Sequence, residues 1–354
     1  MIQVELDKLA RSCIGPFAFC GLAVSRAGQN QFAIEAAHGI KADHQTMFRV
    51  ASVSKIVVGQ TLLKTARSVN LNNPLNADIA DILGRRFRNP HYPNEPITLR
   101  MIASHTSGLR DVDLSTIPDR LSDLDLSECF RADAPGAYFS YSNLGYVILA
   151  AAIEALSGER FDAALTDVLK SLDMYGGFNW AGVTKEQRHN TLPTYRRDGA
   201  DLIPQIDGLV PDTGIGWPRP LETYDLTEST WAFSPQGGLR TSLHGMLQLA
   251  KALRTLTDED PLWSAKDTPG ETLGGVFEQY GCGLQIFDLP SFYPNRLIGH
   301  FGTAYGFKGG VWFDCKTKTA FAYALNGADI DDESDDFAPE ELRIFEGLGQ
   351  LFGV

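Results

Sequence analysis

The residues Ser52-Val53-Ser54-Lys55 are the first in the chain whose types and spacing suggest chemistry. If a helix begins here, Ser52 and Lys55 are three residues apart and share one face of it. Serine is a weak nucleophile, but a partly desolvated lysine can act as its base. Roughly one such Ser-x-x-Lys motif is expected by chance in a chain this long, and this chain has one. Its position, between the strand-like residues 47–50 and a helical run, favours the functional reading.

A second candidate is Tyr141-Ser142-Asn143, which precedes a strongly helical stretch. A tyrosine beside an ammonium group can relay a proton, and an asparagine can hydrogen-bond a substrate amide. The pattern Tyr-x-Asn occurs three times, and proline in the other two copies indicates turns. The alternative for Tyr141 is an aromatic residue stacked at the entry to a helix, with Ser142 or Asn143 as the cap of that helix.

A third candidate is His300-Phe301-Gly302, predicted at the end of a strand and followed by Thr303. A glycine there lets the backbone approach a ligand closely. An N–H group beyond it, together with that of Ser52, would form an oxyanion hole. A structural histidine is the alternative for His300, and Lys308-Gly309-Gly310 is a weaker rival motif because it starts within a strand.

Composition and charge exclude several classes of protein. The 354 residues carry a formal net charge of −13, which argues against nucleic-acid or anionic-membrane partners. Five scattered cysteines without a Cys-x-x-Cys pair indicate reduced thiols, so we expect a cytoplasmic protein. The N-terminal residues lack the apolar core of a signal peptide, and no apolar run is long enough to span a membrane. The histidine spacing predicts no metal site, and we expect no cofactor. The oligomeric state stays open, a homo-oligomer included.

Hydrophobic periodicity predicts an α/β domain that is split in the sequence. Two runs near the N-terminus form a predicted hairpin, and the C-terminal part has four strand-like runs and a closing helix. These strands need each other to complete one sheet. We therefore expect residues 1–65 and 231–354 to form one domain. Residues 66–230 would be an inserted, mainly helical domain with long loops, mostly loop over 175–230. The segments predicted are strands at Phe17–Ser25, Gln31–Gly39, Tyr280–Phe287, Arg296–His300, Gly306–Asp314 and Thr319–Asn326, and helices that include Arg160–Leu172 and Leu144–Leu156.

Taken together, the motifs resemble the serine β-lactamase and penicillin-recognising superfamily. Within it they resemble the branch of class C β-lactamases, R61-type D,D-peptidases, D-aminopeptidases, D-amino-acid amidases and family VIII carboxylesterases. The residues that carry the resemblance follow the order and approximate spacing of the family over residues 48–310. They are 48–55 (FRVASVSK), 102–109 (IASHTSGL), 139–146 (FSYSNLGY), 235–239 (PQGGL) and 299–302 (GHFG).

The resemblance implies a fold and a set of roles. The fold would be α/β (α+β) of the β-lactamase/transpeptidase type, an antiparallel sheet flanked by helices with an inserted all-helical domain. Ser52 would be acylated, Lys55 and Tyr141 would move its proton, and Asn143 would bind the substrate amide or assist Lys55. The resemblance also implies that His300 replaces the lysine of the family's Lys-Thr-Gly motif and that Gly302 is the glycine of that motif. The N–H groups of Ser52 and Thr303 would hold the oxyanion. His105 belongs to a landmark that we interpret as structural.

The absence of Lys-Thr-Gly changes the expected substrate. In the family that lysine and hydroxyl help to bind a carboxylate, whereas a neutral histidine followed by Phe301 binds an anion poorly. The sequence therefore predicts a serine hydrolase that acts through an acyl-enzyme on small esters, amides or D-amino-acid peptides. The alternatives are an acyltransferase or transesterase, a β-lactamase of weak activity, and a non-catalytic penicillin-binding-like module.

Overall fold

A seven-stranded antiparallel sheet forms the centre of the computed structural model, which describes residues 2–69, 73–113, 117–205, 221–256, 268–271, 279–329 and 337–354. Its strand order is β2-β1-β12-β11-β10-β9-β8. The two N-terminal strands thus pair directly with the last long strand, as the split α/β prediction requires. The strands of this sheet are β1 Phe19–Arg26, β2 Gln29–Ala36, β8 Gln279–Gly281, β9 Leu284–Phe287, β10 Leu297–Ala304, β11 Phe307–Asp314 and β12 Thr319–Asn326.

Helices cover both faces of this sheet. On one face α9 packs against β1, β11 and β12. On the other, α10 lies against β12, where the Tyr323 hydroxyl donates to a Glu341 carboxylate oxygen at 2.7 Å. All eight residues of β11 and of β12 are buried, as expected for central strands covered on both sides. The longer helices are α1 Ile2–Ser12, α2 Ser54–Ser68, α5 Asn143–Ser157, α9 Leu243–Leu256 and α10 Pro339–Phe352.

The chain between α2 and α9 contributes the remaining short helices and a hairpin. The helices are α3 Ile79–Leu83, α4 Leu99–Ala103, α6 Phe161–Ala164, α7 Thr166–Ser171 and α8 Lys185–His189. The region predicted as mostly loop also contains a hairpin that the sequence pattern did not predict, formed by the paired strands β5 (Thr194–Asp198) and β6 (Asp201–Gln205). Residues 206–220 of the same segment lie outside the described residues. The division into two domains remains a prediction.

Three predicted elements have different bounds. The helix predicted over 160–172 is divided into α6 and α7. The Thr166 hydroxyl donates to the Asp162 carbonyl oxygen at 3.0 Å, a side-chain hydrogen bond that competes with the helical pattern. The strand predicted over 280–287 is two strands, β8 and β9. The residues between them, Cys282 and Gly283, both have positive φ, the conformation of a two-residue hairpin turn.

The third difference concerns the strand that carries His300. It was predicted to stop there, but β10 continues to Ala304 because β11 pairs with it along its whole length. A two-residue turn at Tyr305-Gly306, again with positive φ at both residues, then closes the hairpin. His300 and Gly302 therefore lie within a strand and not at its end.

A small second sheet leads into the Ser-x-x-Lys segment. Strand β3 (Met47–Arg49) pairs with β7 (Arg240–Ser242), which also pairs with β4 (Gly176–Gly177). Immediately after β3 the chain makes a 3-10 turn over Ala51–Val53, and α2 begins at Ser54. No helix in the part of the chain described here is long and apolar enough to cross a membrane. The strand β13 (Ala328–Asp329) pairs with β5 in a third sheet.

Candidate active site

Ser52 lies on the 3-10 turn between β3 and α2, two residues before the first residue of the helix that carries Lys55. The prediction placed it at the N-terminus of that helix. The turn is held by Ser54, whose hydroxyl donates to the Ala51 carbonyl at 2.6 Å and accepts from the Leu239 N–H at 3.0 Å. Ala51 has a φ of +46°, a conformation uncommon for alanine that occurs where surrounding contacts enforce it. These contacts leave Ser52 half-buried while the residues on either side of it are buried.

Lys55 is fully buried, and its ammonium position is defined by three polar contacts. The Lys55 Nζ atom lies 2.9 Å from Ser52 Oγ, 2.8 Å from Asn143 Oδ1 and 2.7 Å from the Gln236 carbonyl oxygen. The two amide oxygens can only accept hydrogen bonds. They therefore occupy two N–H groups of Lys55, and the third tetrahedral position faces Ser52.

This arrangement fits both protonation states of the lysine. As an ammonium, Lys55 donates its third N–H to Ser52 Oγ. As a neutral amine, it presents a lone pair there and can accept the Ser52 proton. The geometry thus provides a path for proton exchange between nucleophile and base within ordinary hydrogen-bond reach.

Asn143 is the first residue of α5, and an exposed carboxylate fixes the direction of its side chain. The Asn143 Nδ2 atom donates to Asp111 Oδ2 at 2.7 Å, which leaves Oδ1 for Lys55. Asp111 Oδ1 also accepts the backbone N–H of Leu144 at 3.2 Å, so it caps the helix. The sequence analysis missed Asp111. It lies 32 residues from Asn143, and no local spacing links the two.

The Tyr141 ring lies beside the same lysine. Its centroid is 4.8 Å from Lys55 Nζ, within the distance of a cation–π contact. Tyr146, one turn into α5, lies on another side at 5.5 Å. The structure therefore brings Ser52, Lys55, Asn143 and Tyr141 together.

Gly302 packs directly against the Ser52 turn. A Cβ atom at this position would lie 2.9 Å from the Ser52 backbone nitrogen and 2.8 Å from the Val50 carbonyl oxygen. Strand β9 pairs with one edge of β10, but only over Leu297–Gly299. The rest of that edge, from His300 onward, extends beyond β9. Because N–H groups alternate along a strand, the Thr303 N–H points to the same edge as that of Phe301. The Phe301 N–H is bonded to Gln285 Oε1 at 3.1 Å.

His300 occupies a different environment from the other candidates. It is fully buried, with Nε2 3.0 Å from the Tyr280 hydroxyl and Nδ1 against the Phe301 carbonyl oxygen. Since a carbonyl only accepts, Nδ1 is assigned the proton and Nε2 accepts from Tyr280. Burial and the nearby Lys55 lower the pKa of His300 to about 3, despite the opposing effect of the Phe301 carbonyl. His300 is therefore a neutral residue below the site surface rather than a cation that faces a substrate.

The arrangement defines a class of site: a serine with a buried lysine at hydrogen-bond distance, beside the open edge of a strand. Such a site can perform acyl transfer. Among the described residues, no three His, Cys, Asp or Glu side chains are grouped so that they could hold a metal ion.

Comparison with known proteins agrees with this class. A family-wide sequence profile described as Beta-lactamase matches residues 18–342. The chain therefore belongs to the Beta-lactamase family. This confirms three predictions: the family resemblance, the fold class, and that the protein is a β-lactamase-related serine hydrolase.

Similar solved structures share the fold over nearly the whole chain. D-amino acid amidase from Ochrobactrum anthropi SV3, complexed with L-phenylalanine amide, has a TM-score of 0.72 at 18% identity and covers 99% of this chain and 97% of its own. The β-lactamase/D-alanine carboxypeptidase from Yersinia pestis has a TM-score of 0.72 at 15% identity, with 99% and 98% covered. EstCE1, described as a hydrolase with promiscuous acyltransferase activity, has a TM-score of 0.69 at 18% identity, with 98% of both chains covered.

A curated relative matches a smaller part of the chain. Protein flp from Staphylococcus aureus strain MRSA252 is 28% identical over 145 residues. That match covers 38% of this chain and 28% of the length of protein flp.

Proposed function

We propose that this hydrolase acts through an acyl-enzyme formed on Ser52, with Lys55 as the base. The observation that carries the proposal is the 2.9 Å separation of Lys55 Nζ from Ser52 Oγ, with the lysine fully buried and its other two contacts to amide oxygens. Tyr141, next to the ammonium, is proposed to relay the proton.

In the proposed reaction, Ser52 Oγ attacks the carbonyl carbon of an ester or amide and gives its proton to neutral Lys55. The negative charge that develops on the carbonyl oxygen is stabilised by the N–H groups of Ser52 and Thr303. The proton passes through Tyr141 to the leaving alcohol or amine, and the carbon–heteroatom bond breaks. Water then attacks the acyl-enzyme, its proton is taken up by the same pair, and a carboxylic acid leaves while Ser52 is restored.

The proposed substrates are small esters, amides or D-amino-acid peptides whose acyl group is not held by a carboxylate. Two features of β10 support this. His300 is neutral and buried, and the adjacent position is the apolar Phe301. The D-amino acid amidase and the hydrolase EstCE1, which share the fold, are described as acting on such bonds or as transferring acyl groups. Asn143 would contact the substrate amide from the other side of Ser52.

The cellular setting proposed is the cytoplasm. All five cysteines are free, and four of them are buried. The net charge of −13 supports a small-molecule partner and not a nucleic acid.

The test is covalent labelling followed by turnover. Intact-mass spectrometry after treatment with a fluorophosphonate should show one adduct, on Ser52, and p-nitrophenyl butyrate should be hydrolysed faster than nitrocefin. The Ser52→Ala variant should lose the adduct and roughly 10⁴-fold or more of its kcat, because the nucleophile is absent. The control is Ser107→Ala, a buried serine outside the site, which should keep both.

Other outcomes separate the alternatives. Retained turnover in Ser52→Ala would refute the nucleophile assignment. An ester product formed with an added alcohol would identify an acyltransferase, and faster nitrocefin turnover would identify a β-lactamase. No adduct and no turnover in the wild type would favour a binding module.

A further inference from the structure

His105, which the sequence indicated to be a structural landmark, contacts the chain on both sides of Tyr141. Its carbonyl oxygen accepts the Ser140 N–H at 2.8 Å, and its ring Nδ1 accepts the Ser142 N–H at 3.1 Å. One residue therefore holds the backbone immediately before and immediately after Tyr141. His105 is 2% exposed and has a φ of +57°.

The His105 ring also contacts the Tyr141 ring itself. The two ring centroids are 4.4 Å apart, at an interplanar angle of 38°. Tyr280 packs against the same imidazole at 4.5 Å, and Tyr146 does so at 5.4 Å. The imidazole thus fills the space beside Tyr141 and fixes both the backbone and the ring of that residue.

The contact to Ser142 requires one tautomer of His105. Nδ1 can accept an N–H only when it carries no proton, so the proton resides on Nε2. Nε2 is buried and has no hydrogen-bond partner within the described residues. Burial, the charge of Lys55 and the proximity of His300 all lower the pKa of His105 well below its ordinary value, so the ring stays neutral. The titratable groups that face it are Lys55, His300, Tyr141, Tyr146 and Tyr280.

We propose that His105 is a positioning residue for the acyl-transfer reaction, and that it acts by holding Tyr141 against Lys55 through its Nδ1 and carbonyl contacts. The proposal rests on the function proposed above for Ser52, Lys55 and Tyr141. The same contact also sets the start of α5. Ser142, held by Nδ1, caps the helix through its hydroxyl, which accepts the Gly145 N–H at 3.1 Å. Asn143 is the next residue, and its side chain is held separately by Asp111 and Lys55.

The first experiment compares His105→Asn with His105→Gly. Both residues tolerate the left-handed backbone, so the two variants differ in the side chain. Asn Oδ1 stands as many bonds from the backbone as His Nδ1 and can accept the Ser142 N–H. A small misplacement of a catalytic group can cost roughly 10²-fold, so we expect His105→Gly to lose about that much kcat at little changed KM. His105→Asn should keep kcat within roughly tenfold of the wild type. Ser107→Ala, from the same segment, is the control for burial and should match the wild type.

The second experiment repeats both substitutions in the Tyr141→Phe background. If His105 acts by placing the Tyr141 hydroxyl, the loss caused by His105→Gly should largely disappear there. Equal kcat values for the Asn and Gly variants, or the full loss retained beside Tyr141→Phe, would overturn the proposal.

A third measurement is made on the wild-type protein and uses the Asn variant only to assign the signal, so it remains decisive if the Gly variant fails to fold. ¹⁵N NMR of histidine-labelled enzyme, assigned with His105→Asn, should show His105 as the neutral Nε2–H tautomer at neutral pH. A charged ring or the Nδ1–H tautomer would overturn the proposal. Fluorophosphonate labelling of the wild type distinguishes failure of the positioning role from failure of the proposed function. If Ser52 is labelled but the Asn and Gly variants have equal kcat, only the positioning role is refuted. If Ser52 is not labelled, the proposed function and the positioning role are both refuted.

Discussion

The two walls of the candidate site differ in charge and in the way their polar atoms are used. On the wall formed by the 3-10 turn, α2 and α5, Lys55 is buried with a partner for each of its three donor positions, and Asp111 directs Asn143 towards it. On the wall formed by β10, His300 is neutral and bonded to Tyr280.

This difference indicates how the two tasks of the site are divided. The first wall holds the groups that would move protons, and its amide and carbonyl oxygens supply the acceptors that a buried amine needs around it. The second wall offers backbone N–H groups beside a neutral, buried histidine, and these can align a neutral acyl group without binding an anion. The predictions below test this division, from the largest expected effect to the smallest.

The β10 wall should be most sensitive at Gly302. In Gly302→Ala the new Cβ would lie 2.9 Å from the Ser52 nitrogen, closer than such atoms approach, so either β10 or the Ser52 turn must move. Loss of one oxyanion donor costs roughly 10²–10³-fold in kcat, and we expect a loss of that order in steady-state ester hydrolysis.

The matched control for this variant is Gly237→Ala. A Cβ at Gly237 would lie 3.6 Å from the nearest atom of Ala51, an ordinary contact with the same turn. It should change kcat by less than about threefold. A Gly302→Ala enzyme as active as this control would show that the β10 edge does not serve Ser52.

On the charged wall, removal of Asp111 should have a smaller effect. Asp111→Ala leaves Asn143 Nδ2 without its acceptor and frees the side chain to turn away from Lys55. Because Lys55 keeps its contacts to Ser52 and Gln236, we expect kcat/KM to fall only about tenfold, the size of one hydrogen bond to a charged group. Asp125→Ala, which removes another exposed carboxylate bonded to a nearby N–H, is the control. Equal activity of the two variants would mean that the direction of the Asn143 amide has no role.

The smallest effect on activity, and a measurable one on stability, should come from the neutral His300. Its pKa is about 3 in the folded state, whereas the ordinary value is 6.5, so the unfolded chain binds a proton that the folded one does not. The free energy of unfolding should therefore decrease as the pH falls from about 6.5 towards about 3. In His300→Gln, whose side-chain oxygen can accept from Tyr280, the decrease should be shallower.

Thermal unfolding of the two proteins between pH 7 and pH 4 measures this difference. Other groups, including His105, titrate in both proteins and cancel in the comparison. Parallel curves would show that His300 is accessible to protons in the folded state, and the contrast between the walls would lose its electrostatic basis.

Local patterns were enough to predict much of the sheet. The ends of the hairpin strands near the N-terminus and of β12 were predicted to within about three residues because their apolar residues cluster between turn residues. The length of β10 was underestimated because glycines at 299 and 302 interrupt its apolar pattern, while its pairing with β11 does not depend on side chains. Family membership was also predictable, because several motifs occur in the order typical of the family.

The sequence by itself determined the types and order of the chemical groups. These are a serine three residues before a lysine, a tyrosine two residues before an asparagine, and a His-Phe-Gly motif where the family has Lys-Thr-Gly. Only the tertiary structure decided which of these groups meet and in what state. It placed Asp111 on Asn143 across 32 residues, joined His105 to both neighbours of Tyr141, and buried His300 against Tyr280. Contacts between distant segments, and the desolvation that sets the charge of a buried group, depend on how the elements pack, which no local spacing records.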